Sequence, residues 1–215
     1  MMGNTKVLLP TAYFGNIQYY TKLLAYKDVY IESAEHFPKQ TFRNRCDILD
    51  ANGLYTLTVP VKKGSESKIF TRDVEIDYSR DWVRSHLRAL ESAYRASAFY
   101  ELVIDELMPL WELQPQFLLD FNTKAQDVIC GLINLKVSLS FTENYVKKRE
   151  DVDDFRESIH PKPRMFKDDD SFLKAPYYQV FKHKFEFIPN LSVLDLLFNE
   201  GPAAALVIQQ SIKNY

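Results

Sequence analysis

The residues best equipped for chemistry lie in one short run, Glu32-Ser33-Ala34-Glu35-His36-Phe37-Pro38-Lys39-Gln40-Thr41-Phe42-Arg43-Asn44-Arg45. Lys39, Arg43 and Arg45 can hold a phosphate or carboxylate, because a guanidinium offers a bidentate fork to such anions. Asn44 stands between the two arginines with an amide to add. Glu32 can accept a proton from an acceptor amine or hydroxyl, provided its surroundings raise its pKa toward neutrality. His86 is the other acid/base candidate, since an imidazole titrates near neutral pH. Upstream, the turn that begins at Pro10 carries Tyr13 and Phe14, whose rings can stack on a planar or sugar-like ligand. Downstream, Lys62 adds positive charge at the same rim. Together these residues imply transfer of a group from a small anionic donor, such as a nucleotide sugar or an acyl-phosphate.

Plainer readings of the same residues stay open. Arg43 and Arg45 fall on one face if Phe42 to Leu49 is a strand, and there Glu32 and Glu35 can simply neutralise them. His86 lies on the apolar stripe of a helix, where a lone histidine is commonly a satisfied core residue. The aromatic surplus can equally serve a protein interface, either a homodimer or a non-catalytic scaffold for another enzyme.

For the candidate residues to meet, the chain must fold as an α/β protein. Lys6-Val7-Leu8-Leu9 reads as a buried strand closed by Pro10. A helix follows, capped by Asn16, with Ile17, Tyr20, Leu23 and Leu24 at helical spacing. Val29-Tyr30-Ile31 is a second strand. Strand, helix and strand in so short a span form a βαβ unit with parallel strands. In open parallel sheets ligands bind beyond the carboxyl ends of the strands, which is where the Pro10 turn and the Glu32 run both emerge. Asp50-Ala51-Asn52-Gly53 between two strand-like runs predicts a β-hairpin.

Asp73 to Asp77 alternates as a half-exposed strand does. Asp81 caps a helix running from Trp82 to near Ser97, followed by more helix until Pro109. Further helix over Leu118 to Leu135 and a strand over Val137 to Phe141 complete the main body. The expected fold class is α/β: a βαβ start with a mixed, partly parallel sheet, a β-hairpin, and several helices packed on the sheet. The expected division is an α/β core over 1–146, a charged loop or lid over 147–176, and a strand/helix segment over 177–215 that packs back on the core. Fifteen of the 24 residues from Lys147 to Asp170 are charged, so that stretch reads as a solvated loop or as a lid over a site.

Composition excludes several function classes. With 27 basic and 29 acidic residues the formal charge is −2, which argues against a duplex nucleic-acid binder. Cys46 and Cys130 have no metal-ligand spacing, so no metal is expected. No stretch approaches a membrane span, and no signal-peptide pattern is present, so a cytoplasmic protein is expected. Six glycines form no phosphate cradle, and no GxSxG, HExxH, P-loop or GxGxxG occurs. The residues specify no cofactor.

Leu8-Leu9-Pro10-Thr11-Ala12-Tyr13-Phe14, Lys39-Gln40-Thr41-Phe42-Arg43-Asn44-Arg45, Leu57-Thr58-Val59-Pro60-Val61, Trp82-Val83-Arg84-Ser85-His86 and the closing Asn190-Leu191-Ser192-Val193-Leu194-Asp195-Leu196-Leu197-Phe198-Asn199-Glu200-Gly201 resemble the WbqC-like family. The resemblance implies a cytoplasmic step in bacterial surface-polysaccharide or modified-sugar assembly. One role it suggests is aminoacyl or acyl transfer to an amino sugar. Many members carry His-Gln-Pro at the first turn where this chain has Leu8-Leu9-Pro10, so no catalytic residue transfers from that turn.

Overall fold

The structure is a computed structural model that describes residues 5–62, 68–147, 151–162 and 169–213. Strand β1 (Lys6–Pro10), helix α1 (Ile17–Ala25) and strand β2 (Asp28–Glu32) form the βαβ unit read from the sequence. β1 and β2 are parallel, in register from Lys6 opposite Asp28 to Pro10 opposite Glu32. Asn16 caps α1 by accepting the Tyr19 N–H at 3.0 Å, which satisfies one of the orphan donors of the first turn.

Strands β3 (Arg45–Asp50) and β4 (Gly53–Thr58) form the hairpin, antiparallel and closed at Asp50 opposite Gly53. The Asp50 carboxylate accepts the Asn52 N–H, and Gly53 takes φ 117°, which favours glycine. The strand begins at Arg45, three residues later than a strand over Phe42 to Leu49 would. Phe42 and Arg43 instead lie in a turn. Arg43 and Arg45 therefore do not share a strand face.

Helices α2 (Trp82–Tyr94), α3 (Tyr100–Glu112) and α4 (Leu118–Leu132) follow. Asp81 caps α2 through the Arg84 N–H. α3 runs through Pro109 rather than stopping there. Proline forfeits one helical hydrogen bond, but the next turn carries Leu110 and Trp111 into the core, and their burial holds the helix together beyond it. α4 ends three residues early because Asn134 adopts φ 52° and the Leu135 N–H turns back to the Cys130 carbonyl. Asp73 to Asp77 keeps its alternating burial but forms only single bridges, Glu75 with Phe117 and Ile76 with Val61, after a 3₁₀ turn.

β5 (Leu139–Phe141) joins β2, and β6 (Asp153–Asp154) joins β1. The order is β5-β2-β1-β6, all parallel, while the antiparallel pairing belongs to the separate hairpin. The chain leaves β1 toward β2 and returns on its other flank as β6. This reversal of direction is the position at which open sheets form a crevice. β6 lies inside the charged stretch; its neighbours 148–150 and 163–168 are outside the described residues.

Helices α5 (Val193–Glu200) and α6 (Ala204–Gln210) complete the fold. The start of α5 docks through backbone bonds from Ile17 N–H to Leu191, from Ser192 N–H to Asp47 and from Val193 N–H to Gly15. Gly201 separates them at φ 53°, and a β-carbon there would strike the Phe99 ring. Within α5, Asp195 is buried and accepts the Tyr94 and Tyr177 hydroxyls at 2.6 and 2.7 Å. Gln179 donates to Tyr177 and to the Ile188 carbonyl, so the 177–188 segment is held on α5 by one carboxylate.

Burial raises Asp195 to about 6, against the opposing pull of the two tyrosines. A carboxyl that is more basic in the folded state favours folding below its unfolded value near 3.8. That contribution is lost as pH rises through about 6. Relative to an Asp195→Asn variant, the wild-type protein should lose about 2 kcal/mol of stability between pH 4 and 6. Urea denaturation of both proteins across that range measures it; parallel curves would contradict the assignment.

Candidate functional site

The loops that leave the carboxyl ends of the parallel strands converge on one buried carboxylate. Glu32 ends β2 and has no solvent exposure. Its Oε1 accepts the Ala34 N–H at 2.9 Å and the Thr142 hydroxyl at 2.6 Å. Its Oε2 accepts the Val146 N–H and Arg156 Nη1, both at 3.0 Å. Every donor comes from a loop that follows β2, β5 or β6. Arg156 is fixed in turn by Asp154, whose carboxylate takes Nε and Nη2. Burial alone would make Arg156 less basic, but Asp154, Tyr145 and Glu32 more than reverse that.

Beside this knot opens a cleft of about 490 Å³, within the size range of small-molecule sites. Glu35, His36, Arg43, Tyr145, Arg156 and His160 line it, with Phe70 and Glu157 at its walls. Arg43 Nε donates to Glu35 Oε1 at 2.6 Å, and Nη2 donates to the Arg156 carbonyl at 3.3 Å. Among the described residues, Arg43 Nη1 and Glu35 Oε2 have no hydrogen-bond partner. The ion pair thus keeps one donor and one acceptor for a ligand. Burial raises the Glu35 pKa, and the Glu32 charge adds to this, while Arg43 and Arg156 oppose it. His160 accepts the Lys162 N–H on Nδ1, so the neutral ring carries its proton on Nε2. Burial, Lys162, Arg43 and Arg45 all lower its pKa and favour that neutral form.

Other residues singled out by sequence lie elsewhere. Tyr13 is fully buried among Phe14, Phe121 and His86, and its hydroxyl bonds His86 Nδ1 at 2.9 Å. His86 is 4 % exposed, its ring set edge-on to Trp82, and burial lowers its pKa to about 4 despite the Thr58 backbone bond. Neither lines the cleft. The Tyr13 turn still reaches its wall, because the Tyr13 N–H donates to the Phe42 carbonyl at 2.9 Å.

Pro10 is buried at the end of β1, preceded by the equally buried Leu8 and Leu9. Asn44 Nδ2 donates to the Val59 carbonyl and locks the strand end of the hairpin. Arg45 starts β3, and its Nε is buried without a partner among the described residues. Lys39 is exposed between the cleft residues Pro38 and Thr41. Lys62 is exposed and pairs with Glu75 at 2.6 Å. Arg156, His160, Tyr145 and Phe70 were not distinguishable in the sequence. Arg156 and His160 lie in the charged stretch, whose few apolar residues, such as Phe155 beside Arg156, do not set them apart. Among the described residues no group of His, Cys, Asp and Glu is arranged to hold a metal, and no helix is long and apolar enough to cross a membrane.

The sequence pattern of the WbqC-like protein family matches residues 11–160, which takes in the cleft and the buried carboxylate. The uncharacterized protein Rv1507c of Mycobacterium tuberculosis is 28 % identical over 213 residues, covering 89 % of each chain. No solved structure matches.

Glu32→Gln leaves Arg156 paired with Asp154 but weakens the bonds from Thr142, Val146 and Arg156 to a buried acceptor, so it should cost about 1–3 kcal/mol, read as a lower midpoint in urea. An unchanged midpoint would show that the strand-end loops do not depend on this carboxylate.

Proposed function

The chain belongs to the WbqC-like protein family, and we propose that it is a transferase-like enzyme of bacterial surface-polysaccharide or modified-sugar biosynthesis. In this reading it moves an acyl or aminoacyl group from a phosphate-bearing donor to the amine of an amino sugar. The observation that carries the proposal is the open Arg43–Glu35 pair on the cleft at the carboxyl edge of the sheet. It offers an anion donor and a proton acceptor side by side.

Arg43 Nη1 and His160 Nε2–H hold the donor phosphate. The acceptor amine attacks the acyl carbon and forms the new C–N bond. The bond from that carbon to the phosphate oxygen breaks, and its electron pair leaves with the phosphate. Glu35 Oε2 accepts the proton that the amine releases. Glu32 holds the loops rather than the proton, because four donors occupy both its oxygens. His86 serves as the buried acceptor for Tyr13.

Thermal shift against acyl-phosphates and nucleotide sugars tests the binding step, since a ligand that binds the folded form raises the melting temperature. A rise with the wild-type protein that persists in Glu35→Gln and vanishes in Arg43→Gln is expected. A flat screen, together with a stable hetero-complex in pull-down, would favour a non-catalytic scaffold instead.

Turnover should fall at least 100-fold in Glu35→Gln, the usual scale for losing a general base. The wild-type rate should climb with pH through the raised Glu35 pKa, because only the ionised carboxylate accepts a proton. Equal turnover by wild type and Glu35→Gln would remove Glu35 from the chemistry.

A further inference from the structure

We propose that the phosphate-bearing ligand of this cleft is a nucleotide whose base stacks on the exposed face of Tyr145; this rests on the anion-binding reading given above. Exposed aromatic rings are few among the described residues, and two of them, Phe70 at 39 % and Tyr145 at 57 %, line the same cleft as Arg43 and His160. Large aromatic surface left in water beside a site of converging polar groups is characteristic of ligand recognition rather than of folding.

Both rings are held in place by neighbours in the same cleft lining. The Arg156 guanidinium lies 4.9 Å from the Tyr145 ring centroid, and Glu32 and Asp154 immobilise that guanidinium. The loop that carries Tyr145 is tied to the end of β2 by Ser33 and Thr142, and to Arg72 through the Glu143 carbonyl. Phe70 is stacked on His36, with ring centroids 5.0 Å apart and planes 12° from parallel. Tyr145 thus has a cation against its ring and more than half of its surface still open in the lining of the cleft. A flat heterocycle completes such a stack, and its phosphate then has Arg43 Nη1 and His160 Nε2–H within the same cleft. A bare acyl-phosphate or sugar phosphate leaves the Tyr145 face unused.

Isothermal titration calorimetry on the full chain separates the possibilities, with adenosine and uridine monophosphates, ribose phosphate and inorganic phosphate as probes. At least one nucleotide should bind roughly 5- to 150-fold tighter than ribose phosphate, the scale of one base–aromatic stack. Tyr145→Ala should abolish that gap and leave ribose phosphate affinity unchanged, whereas Tyr145→Phe should retain it. Nucleotides that bind no better than ribose phosphate, or a gap that survives Tyr145→Ala, would overturn the nucleotide assignment while the anion-binding cleft stands. No binding by any of the four probes would overturn both.

Discussion

A carboxylate with no access to water, such as Glu32, is tolerable only if donors replace its hydration. The donors that do so at Glu32 come from three separate loops, those after β2, β5 and β6. The charge therefore works as a constraint on topology. β6 is two residues long and pairs only through Val7 and Leu8, too little to hold its position alone. Arg156, two residues past its end, ties that strand's exit to the end of β2, across the intervening β1. The charged stretch that would otherwise be a solvated loop is tied to the sheet by this guanidinium, alongside the buried Lys22–Asp169 ion pair and the Tyr26–Asp153 hydrogen bond.

The same arrangement gives the cleft its electrostatic character. Arg156 is saturated by Glu32 and Asp154 and adds little free positive charge. Arg43 is neutralised by a single carboxylate that binds through one oxygen. The cleft is thus close to neutral overall but locally polarised, with a donor and an acceptor next to each other. A strongly positive cleft would grip any anion and would depress the pKa of a neighbouring base. Here burial raises Glu35 while Arg43 holds it in place, which suits a group that must both keep and exchange a proton.

Elements defined by local rules were legible in the sequence. Asn16, Asp81 and the Asp50–Gly53 turn each act through bonds to near neighbours, and the βαβ start follows from two apolar runs around one amphipathic helix. The approach of the Pro10 turn to the run after β2 followed from the parallel topology, although Phe42 lies in a turn and not in the expected strand. What failed to show was set by distant partners. β6 has no apolar pattern because its two residues are aspartates whose backbone pairs with β1. Pro109 marks a helix end by its own chemistry, yet the burial of Leu110 and Trp111 overrides it. Arg43 and Arg45 look equivalent two apart, but the strand starts only at Arg45.

Tyr13 and His86 illustrate the same point for the site. A tyrosine in a turn and a histidine on a helix both present polar groups, and sequence cannot tell a polar group that faces a ligand from one satisfied by another buried group. The Tyr13 hydroxyl and the His86 ring satisfy one another inside a cage of Phe14, Trp82 and Phe121. A neutral imidazole is the form that can accept that hydroxyl on Nδ1, and burial in the cage enforces neutrality. The Tyr13 backbone also carries the hydrogen bond to the Phe42 carbonyl, one residue before Arg43. The aromatic cage therefore acts on the cleft through the main chain: it fixes the turn that precedes Arg43, while its own polar groups stay outside the cleft.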